Sequence, residues 1–162
     1  MTNYHELIEG KVYIGGENAL LEALQEQKIS DVFVLRDSCT KTEGFPEHVT
    51  RHHFPIVEDE SGQEGSVQEA IQAVTAAVKS GKTVYFHCAG GRNRTGTVAT
   101  GVLLELGHAT TVEEAEALAK ERRPDINIKQ DMRDVLRALI LLNKLKVYTE
   151  ALFPNGDCFF WL

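Results

Sequence analysis

The stretch "VYFHCAGGRNRTGT" (Val84–Thr97) joins a strand-like run, a glycine-rich bend and the beginning of a helix. Its first residues are mostly β-branched or aromatic, which is typical of a buried strand. From Thr95 to Leu106 the residues are apolar or small on nearly every side, so the helix that follows is predicted to be buried. A strand that passes through a short bend into a buried helix is typical of proteins with a parallel sheet.

The same alternation of strand and helix continues on both sides of this stretch. Predicted strands cover residues 11–16, 31–36, 49–56 and 83–88, and predicted helices cover residues 17–28, 66–80, 95–106, 112–122 and 130–148. We therefore expect an α/β fold with a mostly parallel central sheet of four to five strands, flanked by helices on both faces. In such sheets ligands bind beyond the carboxyl ends of the strands, where the loops that begin at Arg36, Val57 and Cys88 are expected to meet.

The length and composition indicate one domain. The chain has 162 residues, of which 43% are hydrophobic and 25% are charged, and we expect a single catalytic domain over residues 1–162. Residues 150–162 are interpreted as an apolar, helix-poor C-terminal tail that packs on the body or on a partner. No apolar run is long enough to span a bilayer, and the first residues lack the pattern of a secretion signal.

Charge and cysteine content limit the possible partners. The formal net charge is −7, which argues against a nucleic-acid partner because such binders are usually basic. An acidic protein that binds a small anion must concentrate positive charge locally, and Arg92 and Arg94 form such a cluster beside the glycines. Cys39, Cys88 and Cys158 are too scattered for a disulfide framework or a four-ligand zinc site. We therefore expect a cytoplasmic protein that uses no metal and no other cofactor.

Cys88 stands at the end of the predicted strand, where the bend can make it a nucleophile. A cysteine attacks as its thiolate, which a helix N-terminus and nearby cations stabilise. Ala89, Gly90 and Gly91 have little side chain to obstruct the bend, so their backbone N–H groups can turn inward and form a nest for an anion. The positive end of the following helix favours the same anion.

Two side chains at the start of that helix complete the predicted site. Arg94 can bond two oxygens of a phosphate and fix its orientation. Thr95 follows directly, and its hydroxyl is expected to lie within reach of the cysteine sulfur. An ATP-type phosphate loop is excluded because no Gly-Lys-Ser/Thr follows the glycines. The bend is therefore predicted to bind a phosphate group that Cys88 attacks.

The segment "HCAGGRNRTG" resembles the signature of the cysteine-dependent phosphatases, in which His and Cys are followed by five residues, Arg, and Ser or Thr. The chain length and the alternating pattern resemble the dual-specificity branch, from Lys11 to about Leu145. The resemblance implies that Cys88 forms a phosphocysteine intermediate, that Arg94 binds the phosphate and the transition state, and that Thr95 assists hydrolysis of the intermediate. His87 would tune the cysteine from behind. The substrate-binding loop implied by the resemblance consists of Ala89, Gly90, Gly91, Arg92, Asn93 and Arg94.

The same family uses an aspartic acid on a neighbouring loop to protonate the leaving group. The acidic run of "HFPIVEDESG" resembles that loop. Simple register places Glu58 at the acid position, whereas Asp59 requires one extra residue, and Glu60 is a third possibility. We prefer Asp59 because the family uses aspartate. If none of the three is the acid, Asp37 at the end of the preceding predicted strand is the next candidate.

A dual-specificity protein phosphatase is the leading interpretation, with a phosphorylated protein or a small phosphorylated molecule as substrate. The main alternative is a phosphatase of a non-protein substrate, because the segment also resembles the loops of RNA 5′-triphosphatases and of phosphoinositide and inositol-phosphate phosphatases. An inactive phospho-binding module would have no need for Cys88. A rhodanese-like sulfur transferase is disfavoured by Thr95, Gly96 and the acidic loop.

Overall fold

The computed structural model describes residues 3–39 and 43–156. A five-stranded sheet with the order β1-β2-β5-β3-β4 forms its centre. The strands are β1 (Tyr4–Ile8), β2 (Val12–Gly16), β3 (Asp31–Val34), β4 (Thr50–His53) and β5 (Val84–Cys88). The α-helices are α1 (Leu20–Glu26), α2 (Glu64–Lys79), α3 (Asn93–Glu105), α4 (Val112–Arg122) and α5 (Gln130–Leu152), and a 3₁₀ turn (Glu17–Ala19) precedes α1.

Four of the five strands are parallel, as predicted. Strand β5 lies between β2 and β3 and runs parallel to both, and β4 continues the parallel sheet beyond β3. Strand β1 pairs with β2 in the antiparallel direction and forms one edge. Strand β1 was not predicted from the sequence, because its five residues mix polar and apolar side chains and become a strand by pairing with β2.

The two faces of the sheet bury different helices, because successive side chains of a strand point to opposite faces. On β5, Val84, Phe86 and Cys88 belong to the larger core, which also contains residues of α2, α3, α4 and α5. Tyr85 points to the other face and packs in the smaller core with residues of α1. The expected α/β fold with helices on both faces is therefore confirmed.

Helix α5 is longer than predicted. It continues to Leu152, so residues 150–152 of the tail predicted as helix-poor are helical. These residues, Glu-Ala-Leu, have good intrinsic helix propensity, and the helix ends just before Pro154, as expected for a residue that disfavours a preceding α conformation. The rest of the predicted tail is described only to Gly156, and residues 157–162 lie outside the described ranges.

Within the described ranges, none of the helices combines the length and apolar character needed to cross a bilayer.

Candidate active site

The predicted phosphate loop connects the central strand to a buried helix. Cys88 is the last residue of β5, and α3 begins at Asn93. Because β5 lies between two parallel neighbours, Cys88 stands in the middle of the carboxyl edge of the sheet. This is the edge at which α/β proteins bind ligands, and the loops after β3 and β4 start there too.

The Thr95 hydroxyl is fixed against Cys88. Its Oγ1 accepts a hydrogen bond from the Cys88 backbone N–H at 2.9 Å and donates to the Cys88 sulfur at 3.0 Å. Cys88 is 2% exposed and Thr95 is fully buried, so this geometry is protected from water. The hydroxyl proton is directed at the sulfur, where it can stabilise negative charge.

His87 supports the same strand end from the protein interior. It is fully buried, and burial lowers its pKa, so the ring is neutral near pH 7. Its Nδ1 lies 2.9 Å from the carbonyl oxygen of Cys88. Because a carbonyl can only accept, Nδ1 carries the proton of the neutral ring. His87 therefore fixes the backbone of Cys88 through the Cys88 carbonyl, in addition to the contacts that Thr95 makes with Cys88.

Glycine is required at two contacts between the loop and β2. Gly91 has a φ of +68°, and a Cβ there would lie 2.4 Å from the carbonyl carbon of Gly15. A Cβ on Gly16 would lie 3.0 Å from the carbonyl oxygen of Ala89. The pair of glycines that ends β2 therefore allows the loop to approach the strand closely, and the adjacent Glu17 N–H donates to the Ala89 carbonyl at 3.0 Å.

Arg123, which the sequence analysis did not select, holds the outer side of the loop. Its Nε donates to the Gly91 carbonyl at 2.9 Å, and its Nη2 donates to the Gly90 carbonyl at 3.3 Å. Its Nη1 donates to the Asn3 carbonyl at 3.0 Å. The side chain lies just beyond α4 and is almost fully buried. No spacing rule connects Arg123 to the loop, since the contact spans more than thirty residues.

These contacts orient the backbone N–H groups of the loop. The carbonyls of Ala89, Gly90 and Gly91 point at Glu17 and Arg123. In a trans peptide the N–H points opposite to the carbonyl, so the N–H groups of Gly90, Gly91 and Arg92 point to the inner side of the bend. That orientation is the one an anion-binding nest requires.

We predict that Arg123→Met weakens phosphate binding and lowers kcat/KM for an aryl phosphate by about 10²-fold, the cost of a small misplacement of a binding group. The loss should appear mainly in KM and in the Kd for inorganic phosphate, because the loop carbonyls lose their fixed orientation. Arg123→Lys keeps the charge but loses the planar guanidinium that bonds two carbonyls. Compared with Arg123→Met, it should restore thermal stability more than phosphate affinity. The neighbouring exposed Arg122 provides the control. Equal phosphate affinity in Arg123→Met and Arg122→Met would exclude a positioning role.

Arg94 lies in the first turn of α3 and faces two acidic side chains. It is 8% exposed, and its Nη1 donates to the Ile56 carbonyl at 3.2 Å. Its Nη1 is 3.6 Å from Asp37 Oδ1, and its Nε is 3.4 Å from Glu58 Oε1. Although this ion pair is close, the Nε makes no hydrogen bond within the described part of the chain. A buried guanidinium with a free N–H is well suited to donate a hydrogen bond to an oxyanion.

The acidic loop directs its carboxylates to different places. Glu58 lies at the phosphate loop, since its Oε1 also accepts from Asn93 Nδ2 at 3.3 Å. Asp59 instead accepts from Lys129 Nζ at 3.0 and 3.1 Å, and its side chain is 73% exposed. The hydrogen bond with Asp59 raises the pKa of Lys129. Glu60 is exposed. Of the three acids, Glu58 is therefore the one in contact with Arg94.

Asn93 and Arg92, both predicted as substrate-binding, have different surroundings. The Asn93 side chain is 6% exposed and accepts from the Lys129 backbone N–H at 2.8 Å, so it links the loop to the start of α5 and to Glu58. The Arg92 side chain is exposed and can meet a substrate only at the rim. Lys129, also missed by the sequence analysis, joins this rim through Glu58 and Asp59.

Several solved structures share the fold of this chain. Human DUSP28 has a TM-score of 0.75 and 16% sequence identity, over 88% of this chain and 95% of the other. The active form of Tk-PTP has a TM-score of 0.68 and 24% identity, over 85% and 95%. PTPMT1 in complex with PI(5)P has a TM-score of 0.73 and 18% identity, over 90% and 99%. The comparison with curated proteins gives no significant match.

The family model described as the dual specificity phosphatase catalytic domain matches residues 12–139, which contain every strand except β1 and every residue of the predicted site. The match ends within α5, before its exposed last turns. The chain therefore belongs to the dual specificity phosphatase catalytic-domain family and is a cysteine-dependent phosphatase.

Proposed function

We propose that the protein hydrolyses phosphate monoesters through a phosphocysteine at Cys88. The observation that carries this proposal is the contact between Thr95 Oγ1 and Cys88 Sγ at 3.0 Å. It lies at the base of a loop whose Ala89, Gly90 and Gly91 carbonyls point outward to Glu17 and Arg123. The nucleophile, its hydrogen-bond donor and the phosphate nest are thereby brought together at one strand end.

In the first step the Cys88 thiolate attacks phosphorus, an S–P bond forms, and the bond from phosphorus to the leaving oxygen breaks. Arg94 and the inward N–H groups of Gly90, Gly91 and Arg92 balance the charge on the phosphoryl oxygens. A carboxylic acid gives its proton to the leaving oxygen, which departs as an alcohol or a phenol.

In the second step a water molecule attacks the phosphorus of the phosphocysteine and the S–P bond breaks. The carboxylate formed in the first step accepts a proton from that water. The sulfur leaves as a thiolate, and the Thr95 hydroxyl, already directed at it, stabilises the charge. Inorganic phosphate is the product.

The general acid is proposed to come from the acidic loop. Asp59 is the residue expected from the resemblance, and that role stays a prediction. The contacts support Glu58 more strongly, because it lies 3.4 Å from Arg94 Nε, whereas Asp59 bonds Lys129 and is largely exposed. Glu58 is also the residue in simple register with the family loop.

Amide substitutions in the acidic loop separate these assignments. We expect Glu58→Gln to slow hydrolysis of a phosphotyrosine peptide by about 10²–10⁴-fold, the usual contribution of a general acid, and to remove the alkaline limb of the pH–rate profile. The effect on para-nitrophenyl phosphate should be smaller, because its leaving group needs a proton less. Glu60→Gln is the control. If Asp59→Asn alone removes the alkaline limb, the acid is Asp59 and the assignment to Glu58 is wrong.

The charges around the site support a phosphorylated protein as substrate. Asp37 and Asp59 expose carboxylates beside Arg94 and Lys129, Glu60 is exposed directly after Asp59, and Arg92 and Lys129 are exposed cations. A second phosphate on the substrate would meet these carboxylates, whereas a phosphopeptide with neutral or basic flanking residues would not. PTPMT1, whose solved complex contains PI(5)P, illustrates the alternative class of lipid-derived substrate.

Turnover of para-nitrophenyl phosphate by the purified protein tests the activity itself. A panel of phosphotyrosine, phosphoserine and phosphothreonine peptides, inositol phosphates and triphosphate-ended RNA then tests the substrate class. We expect the highest kcat/KM with a phosphopeptide. Preference for an inositol phosphate or for RNA would reject the protein substrate and leave the phosphocysteine mechanism in place.

The cellular location is proposed on chemistry alone. A reactive thiolate at Cys88 needs a reducing environment to persist, because oxidation would block it. Together with the scattered cysteines of the sequence, this supports a cytoplasmic protein. Fractionation of cells that express a tagged chain tests the location.

A further inference from the structure

The C-terminal half of α5 carries an apolar surface that the body does not cover. Within the described residues, the large apolar side chains exposed to solvent all lie between Leu141 and Phe153. They include Leu145 at 62%, Val147 at 66% and Tyr148 at 68% exposed. Earlier in the same helix, Leu136 and Leu139 are buried in the main core. The helix therefore leaves the body while its sequence remains apolar.

One side of this exposed half borders a groove. A cavity of about 820 Å³ lies between α5, α2 and the end of α3. Helix α5 contributes Ile140, Val147 and Ala151 to its lining, and the opposite wall includes Ile71 and Leu104. The lining is mostly apolar, and it lies apart from the phosphate loop, so the catalytic chemistry gives it no role.

The backbone reverses at the end of α5. The Phe153 N–H still bonds the Thr149 carbonyl at 2.9 Å, as in a helix, but the Gly156 N–H bonds the Phe153 carbonyl at 3.2 Å. The sequence Phe-Pro-Asn-Gly has Pro at the second position and Gly at the fourth, which favours a type I turn. A turn of this kind reverses the chain direction within four residues, so Phe153–Gly156 do not continue the helix.

The six residues after the turn are largely apolar, like the groove, and can extend over most of its length. They are "DCFFWL" (Asp157–Leu162), with four large apolar side chains. Six extended residues span about 20 Å. The groove residues of α5 extend from Leu136 to Ala151, which is about 22 Å along a helix. A segment that starts at the turn can therefore reach most of the groove.

We propose that residues 157–162 dock into the groove between α2, α3 and α5 of their own chain. Three independent features support this occupant: the reversing turn at Phe153–Gly156, the reach of six residues over most of the groove, and the apolar character of segment and groove. Docking would cover the face of α5 that borders the groove and leave exposed the side of α5 that carries Leu145.

The single tryptophan of the chain, Trp161, lies in this segment and reports its environment. For the full chain we expect a fluorescence emission maximum shifted to the blue of free N-acetyltryptophanamide, together with several-fold weaker acrylamide quenching. Both should be independent of protein concentration over a range in which light scattering shows a monomer. Emission identical to the free amide at every concentration would overturn the proposal.

Two charge substitutions on exposed helix positions distinguish the groove from the rest of α5. Val147 lines the groove. Val147→Asp should therefore shift the Trp161 emission to the red and increase acrylamide quenching. Leu145→Asp is the matched control, since Leu145 is equally exposed but does not line the groove. Both variants should keep the circular dichroism spectrum of the parent. An equal shift in the two variants, or a blue shift that appears only when a dimer forms, would instead assign the surface to a second copy and reject docking in cis.

Discussion

Cys88→Ser abolishes turnover of an aryl phosphate, with an expected loss of about 10⁴-fold or more, as for other enzymes that lose a covalent nucleophile. Serine keeps the side-chain shape but is not ionised at neutral pH and is a much weaker nucleophile. The hydrogen bond from Thr95 Oγ1 that now points at the sulfur would then meet a neutral hydroxyl. No S–P bond can form, so the first step stops before the leaving oxygen is released.

Phosphate binding should survive the same substitution. In the proposed site the anion is held by Arg94 and by the inward N–H groups of the loop. The loop is fixed through its carbonyls by Glu17 and Arg123, and none of these groups depends on the sulfur. Calorimetry with inorganic phosphate should therefore give a Kd close to that of the parent. The exposed Cys39 provides the control as Cys39→Ser, which should retain full activity. Substantial turnover by Cys88→Ser would rule out the phosphocysteine.

Arg94→Lys is the second severe substitution, even though it keeps the positive charge. The Arg94 guanidinium is buried, with its Nη1 directed at the Ile56 carbonyl and Asp37 and its Nε directed at Glu58. A planar fork of this kind can exchange its carboxylate contacts for two phosphate oxygens, whereas an ammonium group offers a single charged point. We expect kcat to fall by about 10²–10³-fold, the usual cost of removing one preorganised transition-state contact.

Arg92→Lys is the matched control for this experiment, because Arg92 stands two positions earlier in the same loop with an exposed side chain. It should change kcat by much less and affect mainly the preference among charged substrates. The kcat of each variant is measured with para-nitrophenyl phosphate across a range of pH. A value of kcat near the parent in Arg94→Lys would mean that the guanidinium does not contact the phosphoryl group in the transition state.

The strand, loop and helix from Val84 to Glu105 could be predicted because their signals are local. An apolar strand, a run of small residues and a helix without a polar face follow one another in the chain, and the confirmed α/β fold follows from repeating that pattern. The Cys88–Thr95 contact was also predictable, since the two partners are only seven positions apart and the bend brings them together.

Contacts between distant segments were not predictable in this way. Strand β1 has a mixed pattern and forms because β2 offers it an edge. Arg123 meets the loop only when α4 has packed beside α3. Neither β1 nor Arg123 carries a periodic pattern or a motif that predicts these contacts, because long-range packing decides them.

The sequence alone determined the chemistry of the site: a cysteine, an arginine and a threonine at fixed spacing around a glycine-rich bend. The tertiary structure decided which acid of the loop contacts Arg94, because Glu58 lies against both Arg94 and Lys129, whereas the adjacent Asp59 is bonded to Lys129. The left-handed backbone of Asp59, with a φ of 60°, turns its carboxylate toward Lys129, while Glu58 is drawn to the guanidinium of Arg94. Adjacent residues in a loop point in directions set by backbone dihedrals and by the charges they meet, and neither can be read from their order in the sequence.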